Sequence, residues 1–180
     1  MTTEQSVFVV DDDASACNMV ACLAKSMGFK AEAFQSAESF LERCGRSLSG
    51  CLVLDLVLQG LSGMDLLDVM RRDGICLPTI VVTGFADVPL AVRVMQLGVV
   101  TLLEKPFRVQ ELQEAIRQAI ALDAQTRHNG ARAVDMRSQL ASLTADEERI
   151  LQLILAGKTN KAISQALSLR LRTVEAGGTR

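Results

Sequence analysis

Val7-Phe8-Val9-Val10-Asp11-Asp12-Asp13 runs four apolar residues straight into three carboxylates. A short, continuous apolar run with such an abrupt end has the form of a strand buried on both faces. The form recurs in Leu52-Val53-Leu54-Asp55 and in Ile80-Val81-Val82-Thr83, and Leu102-Leu103-Glu104-Lys105 precedes Pro106. Four strand ends therefore carry acid, acid, hydroxyl and ammonium, a set suited to Mg²⁺ and a phosphoryl group.

Helical patterns separate these strands. Ala16, Val20, Leu23, Ala24 and Met27 share one helix face, and Gly28 stands where a helix C-cap is expected. Lys30 to Phe34 reads as a second strand, and Ser36 as the N-cap of a helix from Ala37 to Arg43. Ser62-Gly63 opens a helix to about Arg72, and another lies near Asp87 to Leu97. A fifth strand, Val99 to Leu103, leads to a helix with Leu112, Ala115, Ile116, Ala119 and Ile120 on one face. Five apolar strands alternating with helices predict an α/β fold, a doubly wound five-stranded parallel sheet covered on both faces. Ligands of such sheets sit beyond the carboxyl ends of the strands, where the strand order reverses, so the four tips should meet there.

At 180 residues and 49% apolar content the chain can build one ordinary domain and part of another. The net charge of −2 hides an asymmetry: residues 1–124 hold 10 Lys/Arg against 16 Asp/Glu, and residues 125–180 hold 9 against 5. Only the tail favours nucleic acid electrostatically. Cys17, Cys22, Cys44, Cys51 and Cys76 show no metal-ligand spacing and read as reduced, packed cytosolic thiols. The start has no basic, apolar leader pattern, and no stretch reaches the roughly 18 apolar residues of a membrane span, so a cytoplasmic location without membrane contact is expected.

From Ala124 to Gln139 the chain turns polar, with Asn129-Gly130 as a flexible breaker in a helix-compatible stretch. A linker of helical character over 123–141 would then join a domain at 1–122 to a small all-α unit at 142–180. That unit opens with Leu143-Thr144-Ala145-Asp146-Glu147, where Thr144 and Glu147 have capping-box spacing. His128, the single histidine, falls in the linker with no carboxylate partner placed by the sequence, which argues against a sensor kinase.

A carboxylate can attack phosphorus and form an acyl phosphate if its repulsion with the anionic donor is cancelled. A hard dication does that, and a carboxylate cluster without His or Cys supplies the ligands Mg²⁺ takes. The ordinary reading of any single strand-end Asp is a helix or turn cap. Four chemically matched groups at adjacent tips favour the phosphoryl site.

Val9-Val10-Asp11-Asp12-Asp13, Leu54-Asp55-Leu56 with Leu61-Ser62-Gly63, Val82-Thr83-Gly84 and Glu104-Lys105-Pro106-Phe107 resemble the flavodoxin-like receiver domain of two-component response regulators over residues 6 to about 121. The resemblance implies that Asp55 is the phosphoacceptor and that Mg²⁺ is held by Asp11, Asp12, Asp55 and the Val57 carbonyl. It implies that Thr83 is the switch hydroxyl and that Lys105 pairs with phosphate. It also implies a sensor histidine kinase as partner and a homodimer through the fourth helix, fifth strand and fifth helix. The chain departs from the family where Leu58-Gln59 replaces Met-Pro, which loosens a turn. It departs again at Leu102, where an aromatic ring usually moves with the threonine. The helix Val88 to Leu97 is apolar on nearly every side, so either a partner or deep packing should cover it.

Leu143-Thr144 with Glu147, Ala156-Gly157-Lys158-Thr159-Asn160-Lys161-Ala162-Ile163 and Arg172-Thr173-Val174-Glu175 resemble the helix-turn-helix output domain of the FixJ/NarL (LuxR-type) regulators. By that resemblance Lys158, Lys161, Arg172, Thr173 and Glu175 are the DNA-contacting candidates. Gly177-Gly178 costs about 2 kcal/mol in a helix interior, and the fourth helix of the output domain is absent from the sequence, so an incomplete reader with weak or non-specific DNA binding is expected. The resulting expectation is a non-enzymatic response regulator that controls transcription. The alternative is a stand-alone phospho-signalling protein acting through protein contacts. A phosphohydrolase is disfavoured, because Val57 stands where an Asp-x-Asp pair would need its second acid.

Overall fold

The computed structural model describes residues 5–44 and 48–159. The chain divides into two compact units, Met1–Arg127 and His128–Arg180. In the first, β1 (Ser6–Val10), β2 (Lys30–Phe34), β3 (Gly50–Asp55), β4 (Thr79–Thr83) and β5 (Thr101–Glu104) form one parallel sheet in the order β2-β1-β3-β4-β5. The order reverses between β1 and β3, and their register pairs Val10 with Leu54. Asp11 and Asp55 therefore leave neighbouring strands at the same level, at the reversal point.

The two-residue period of a strand sends alternate side chains to opposite faces, which explains why the central strands are apolar throughout. Val7, Val9, Val53, Ile80 and Val82 pack with α1 (Ala14–Ser26) and with Leu112, Ala115, Ile116 and Ala119 of α5 (Val109–Ala141). Phe8, Val10, Leu52, Leu54 and Val81 pack on the other face with α2 (Ala37–Arg43), α3 (Gly63–Arg72) and Val94 of α4 (Val88–Gln96). Phe40 sits fully buried between Phe8 and Phe34, edge to face with both. Side chains cap the helices as their sequences suggest: Ser36, Ser62 and Asp87 each accept an N–H from the first turn.

Several expectations need correction. β2 is an edge strand with Lys30 exposed and Glu32 half-buried, so the continuously apolar pattern holds only for the inner strands. β5 begins at Thr101, because Gly98 at φ +83 ends the preceding helix and Val99 packs into the core before the ladder with β4 starts. Asn129-Gly130 does not interrupt α5, which runs unbroken to Ala141; one glycine costs a helix only about 1 kcal/mol. Deep packing does not cover α4: Val94 is buried and Leu90 partly so, while Val88, Val92 and Met95 are exposed. All five thiols are free, but Cys22 and Cys76 lie at the surface rather than packed.

In the second unit, α6 (Ala145–Leu155) begins with a complete capping box. Thr144 accepts from the Glu147 N–H while the Glu147 carboxylate accepts from the Thr144 N–H. Ile150 is its buried residue. No helix of the described residues is long and apolar enough to cross a membrane.

Candidate functional site

β1 and β3 deliver Asp11 and Asp55, both less than a tenth exposed, to the carboxyl end of the sheet. Lys105, just past β5, reaches between them. Its Nζ donates to Asp11 Oδ2 at 2.7 Å and to Asp55 Oδ2 at 2.6 Å. Burial works against the ammonium, but hydrogen bonds and charge from both carboxylates outweigh it and raise the Lys105 pKa above its ordinary value. One half-buried cation thus holds two buried anions, leaving a net negative charge on the three groups.

The other carboxylate oxygens are fixed by backbone. Asp11 Oδ1 accepts from the Asp13 N–H at 2.9 Å, and Asp55 Oδ1 from the Val57 N–H at 2.9 Å. Val57 itself is exposed at the rim. Gly63 lies so close to the acceptor strand that an added Cβ would stand 2.3 Å from the Asp55 carbonyl oxygen, so only glycine fits there. The Cys17 thiol donates to the Asp11 carbonyl at 3.2 Å from below, and burial followed by the Asp11 charge raises its pKa.

Asp12 is exposed at the tip of β1. Asp13 takes the ordinary role: it is the N-cap of α1, accepting from the Ser15 N–H at 2.8 Å. Thr83, almost fully buried, touches the Asp11–Lys105–Asp55 group through its backbone, its carbonyl accepting from the Lys105 N–H at 2.8 Å, while its side chain is engaged elsewhere. Its hydroxyl donates to the Phe85 carbonyl at 3.1 Å and accepts from the Phe85 N–H at 3.3 Å, which turns it toward the β4–α4 loop. Leu102 packs against the cluster that contains Val94 and Val99. The structure therefore brings Asp11, Asp55 and Lys105 together and leaves Asp12, Val57 and Thr83 around them.

No group of three or more His, Cys, Asp or Glu side chains converges on one point among the described residues. Two close carboxylates of hard oxygen still match the one or two carboxylates that Mg²⁺ takes when water and phosphate supply the rest. The donor set fits that ion.

Sequence reading missed Asp123, which it placed at the start of the linker. Asp123 is 2% exposed and lies at the opposite end of the sheet. Its Oδ2 accepts from Ser49 Oγ at 3.1 Å and from the Gly50 N–H at 2.9 Å, and Arg127 Nε donates to it from one turn on at 2.9 Å. The signal was present as an acid four residues before an arginine on a helix, but that spacing is common on solvated faces. A cleft of about 340 Å³ beside Asp123, lined by Leu77, Leu97 and Leu122, offers no converging reactive groups, since the Asp123 oxygens are already engaged.

Of the DNA-contacting candidates, Lys158 is exposed just beyond α6, its N–H donating to the Leu153 carbonyl. Lys161, Arg172, Thr173 and Glu175 lie outside the described residues.

Residues 7–117 match the response regulator receiver domain family, and residues 141–177 match the luxR family of bacterial regulatory proteins. The response regulator protein TodT of Pseudomonas putida is 34% identical over 169 residues, covering 94% of this chain and 74% of TodT. The transcriptional regulatory protein FixJ of Bradyrhizobium diazoefficiens is 36% identical over 175 residues, covering 97% of this chain and 85% of FixJ. Among solved structures, that of the response regulator StyR is similar at a TM-score of 0.84 and 35% identity, covering 97% of this chain and 88% of StyR.

Proposed function

Since the chain belongs to the response regulators with a receiver domain and a LuxR-type output domain, a family of phosphorylation-dependent transcription regulators, we propose that Asp55 is its phosphoacceptor. The observation that carries this is the buried Asp11–Lys105–Asp55 arrangement at the reversal point of the sheet. The phosphoryl donor is a sensor histidine kinase. An Asp55 oxygen forms a bond to phosphorus as the P–N bond to the kinase histidine breaks, and the leaving imidazole nitrogen takes a proton from solvent.

Asp11, Asp12, Asp55 and the Val57 carbonyl would hold Mg²⁺. When bound, the ion neutralises charge on the incoming phosphoryl oxygens. Lys105 is released from one of its two carboxylates to pair with a phosphate oxygen, and its raised pKa keeps it protonated for that task. Thr83 leaves Phe85 and donates to a second phosphate oxygen, which changes the hydrogen bonding of the β4–α4 loop. The exposed α4 face of Val88, Val92 and Met95 then joins β5 and the first turns of α5 as a homodimer surface.

We take the receiver to Arg127, because Asp123 and Arg127 belong to its packing, with a helical linker to Ala141 and the output domain from Ser142. DNA contact is through the output domain, with Lys158, Lys161 and Arg172 meeting phosphates and Thr173 and Glu175 near the bases. Labelling with a small phosphoryl donor tests the site: one phosphoryl group on Asp55, none in Asp55→Asn, and none in chelator. Full labelling of the variant removes the assignment.

A further inference from the structure

The segment from Leu56 to Ser62, which follows the proposed acceptor and carries Val57, contains no proline and includes Gly60 at φ +81. Left to itself such a turn is loose, because glycine restricts the backbone least. Its base is closed by the Gly63 N–H donating to the Leu56 carbonyl at 3.1 Å. Its tip is held from another element. The Leu61 N–H donates to Glu38 Oε1 at 2.9 Å, and Glu38 stands in the first turn of α2, twenty-three residues away. The other described hydrogen bonds of the segment stay within residues 55–66.

The fit is close on both sides of that bond. A Cβ on Gly60 would stand 2.7 Å from the same Glu38 oxygen, so the carboxylate rests directly against the glycine backbone. On the α2 side the Ser36 hydroxyl and the Glu38 N–H add electrostatic support to the charged carboxylate. Together with the Leu61 N–H, the largest influence, they hold its pKa below the ordinary glutamate value. Glu38 is therefore ionised and oriented at neutral pH, although it is solvent-exposed.

We infer that Glu38 is a positioning residue for the phosphoryl site, a tether from α2 that fixes the acceptor loop and with it the Val57 carbonyl. The inference rests on the reading of Val57 as part of the Mg²⁺ site. Groups that orient metal ligands without touching the metal are worth about 10–100-fold in affinity, and this exposed tether belongs at the low end. The effect runs through one hydrogen bond to an oxygen acceptor, so a neutral acceptor of the same shape should serve nearly as well.

The test is an Mg²⁺ titration of the full chain, followed by amide chemical shifts at Asp55 and Val57, with amide hydrogen exchange over residues 57–61. Glu38→Ala should raise the half-saturating Mg²⁺ concentration roughly tenfold and speed exchange at Leu61, and Glu38→Gln should restore both. Gly60→Ala, which drives the carboxylate away, should copy Glu38→Ala. An unchanged titration in Glu38→Ala, with faster Leu61 exchange, would make the tether merely structural and overturn the inference. So would Glu38→Gln behaving like Glu38→Ala, since the effect would then be one of distant charge. A wild-type chain whose Asp55 and Val57 amides ignore Mg²⁺ overturns the metal reading itself, an outcome distinct from a normal wild-type titration that Glu38→Ala leaves unmoved.

Discussion

Lys105 is the residue on which the site's electrostatics turn, because its ammonium stands between Asp11 and Asp55. Removing one partner of a buried ion group costs about 3–5 kcal/mol, and the 30% exposure of this lysine lowers the figure, so Lys105→Met should destabilise the fold by about 2 kcal/mol. A cation whose folded pKa is raised contributes fully below its unfolded value of 10.5, and the contribution is lost as pH rises through the folded value. The stability gap between wild type and Lys105→Met in urea should therefore be constant from neutral pH to about 10 and shrink above it. A gap that persists undiminished in strong alkali would contradict the ion group. The thiols give a second residue-scale prediction. Burial pushes Cys51 up to about 12 and Cys44 up to about 11, whereas Cys22 and Cys76 are exposed. An alkylating reagent near pH 8 should modify Cys22 and Cys76 in the folded chain and reach Cys51 only on unfolding, as peptide mapping would show. The residue types of the site were legible in the sequence because four of the five strand ends display a reactive group. The Thr83 hydroxyl pointing at Phe85, and Lys105 shared between two acids, were not legible, since both depend on side-chain direction.

At the scale of elements, β3 is fastened at both ends. Asp55 ends it at the site, and Gly50 begins it at φ +130, where an added Cβ would stand 1.7 Å from the Ser6 carbonyl oxygen. Asp123 of α5 ties that beginning through the Gly50 N–H and Ser49 hydroxyl. Asp123→Ala leaves a buried N–H and Arg127 without their acceptor, so it should cost about 2–4 kcal/mol, read as a lower urea midpoint at unchanged slope. A loss below roughly 0.5 kcal/mol would show that water replaces the carboxylate freely. α4 carries the opposite kind of prediction. Val92 is 51% exposed, so Val92→Lys should leave stability within about 0.5 kcal/mol and abolish phosphorylation-dependent dimers in sedimentation. Dimers that survive would place the interface elsewhere. Elements were legible where apolar period and caps agreed, as at Ser36 for α2 and Ser62 for α3. They gave no sign of the tertiary tie between Asp123 and Gly50, and they misled at Gly130, too weak a breaker to end a long helix.

For the whole molecule, the charge asymmetry divides the labour: an acidic receiver that repels DNA and a basic tail that attracts it. With three phosphate contacts, from Lys158, Lys161 and Arg172, the logarithm of the DNA association constant should fall with the logarithm of salt at a slope of about −2.7, and a slope of about −8 would mean a more extensive interface. The two-part organisation was readable from composition and from two sets of motifs. How phosphorylation at one end alters the other was not, because coupling depends on paired conformations rather than on residue pattern. All of this rests on Asp55 accepting the phosphoryl group. The most direct measurement is intact-mass analysis of the full chain with a small-molecule phosphoryl donor, with Mg²⁺ and with chelator, for wild type and Asp55→Asn. A single phosphoryl adduct is expected on wild type with Mg²⁺ and none in the other three samples. Labelling of Asp55→Asn to the wild-type extent, or labelling indifferent to chelator, would contradict it.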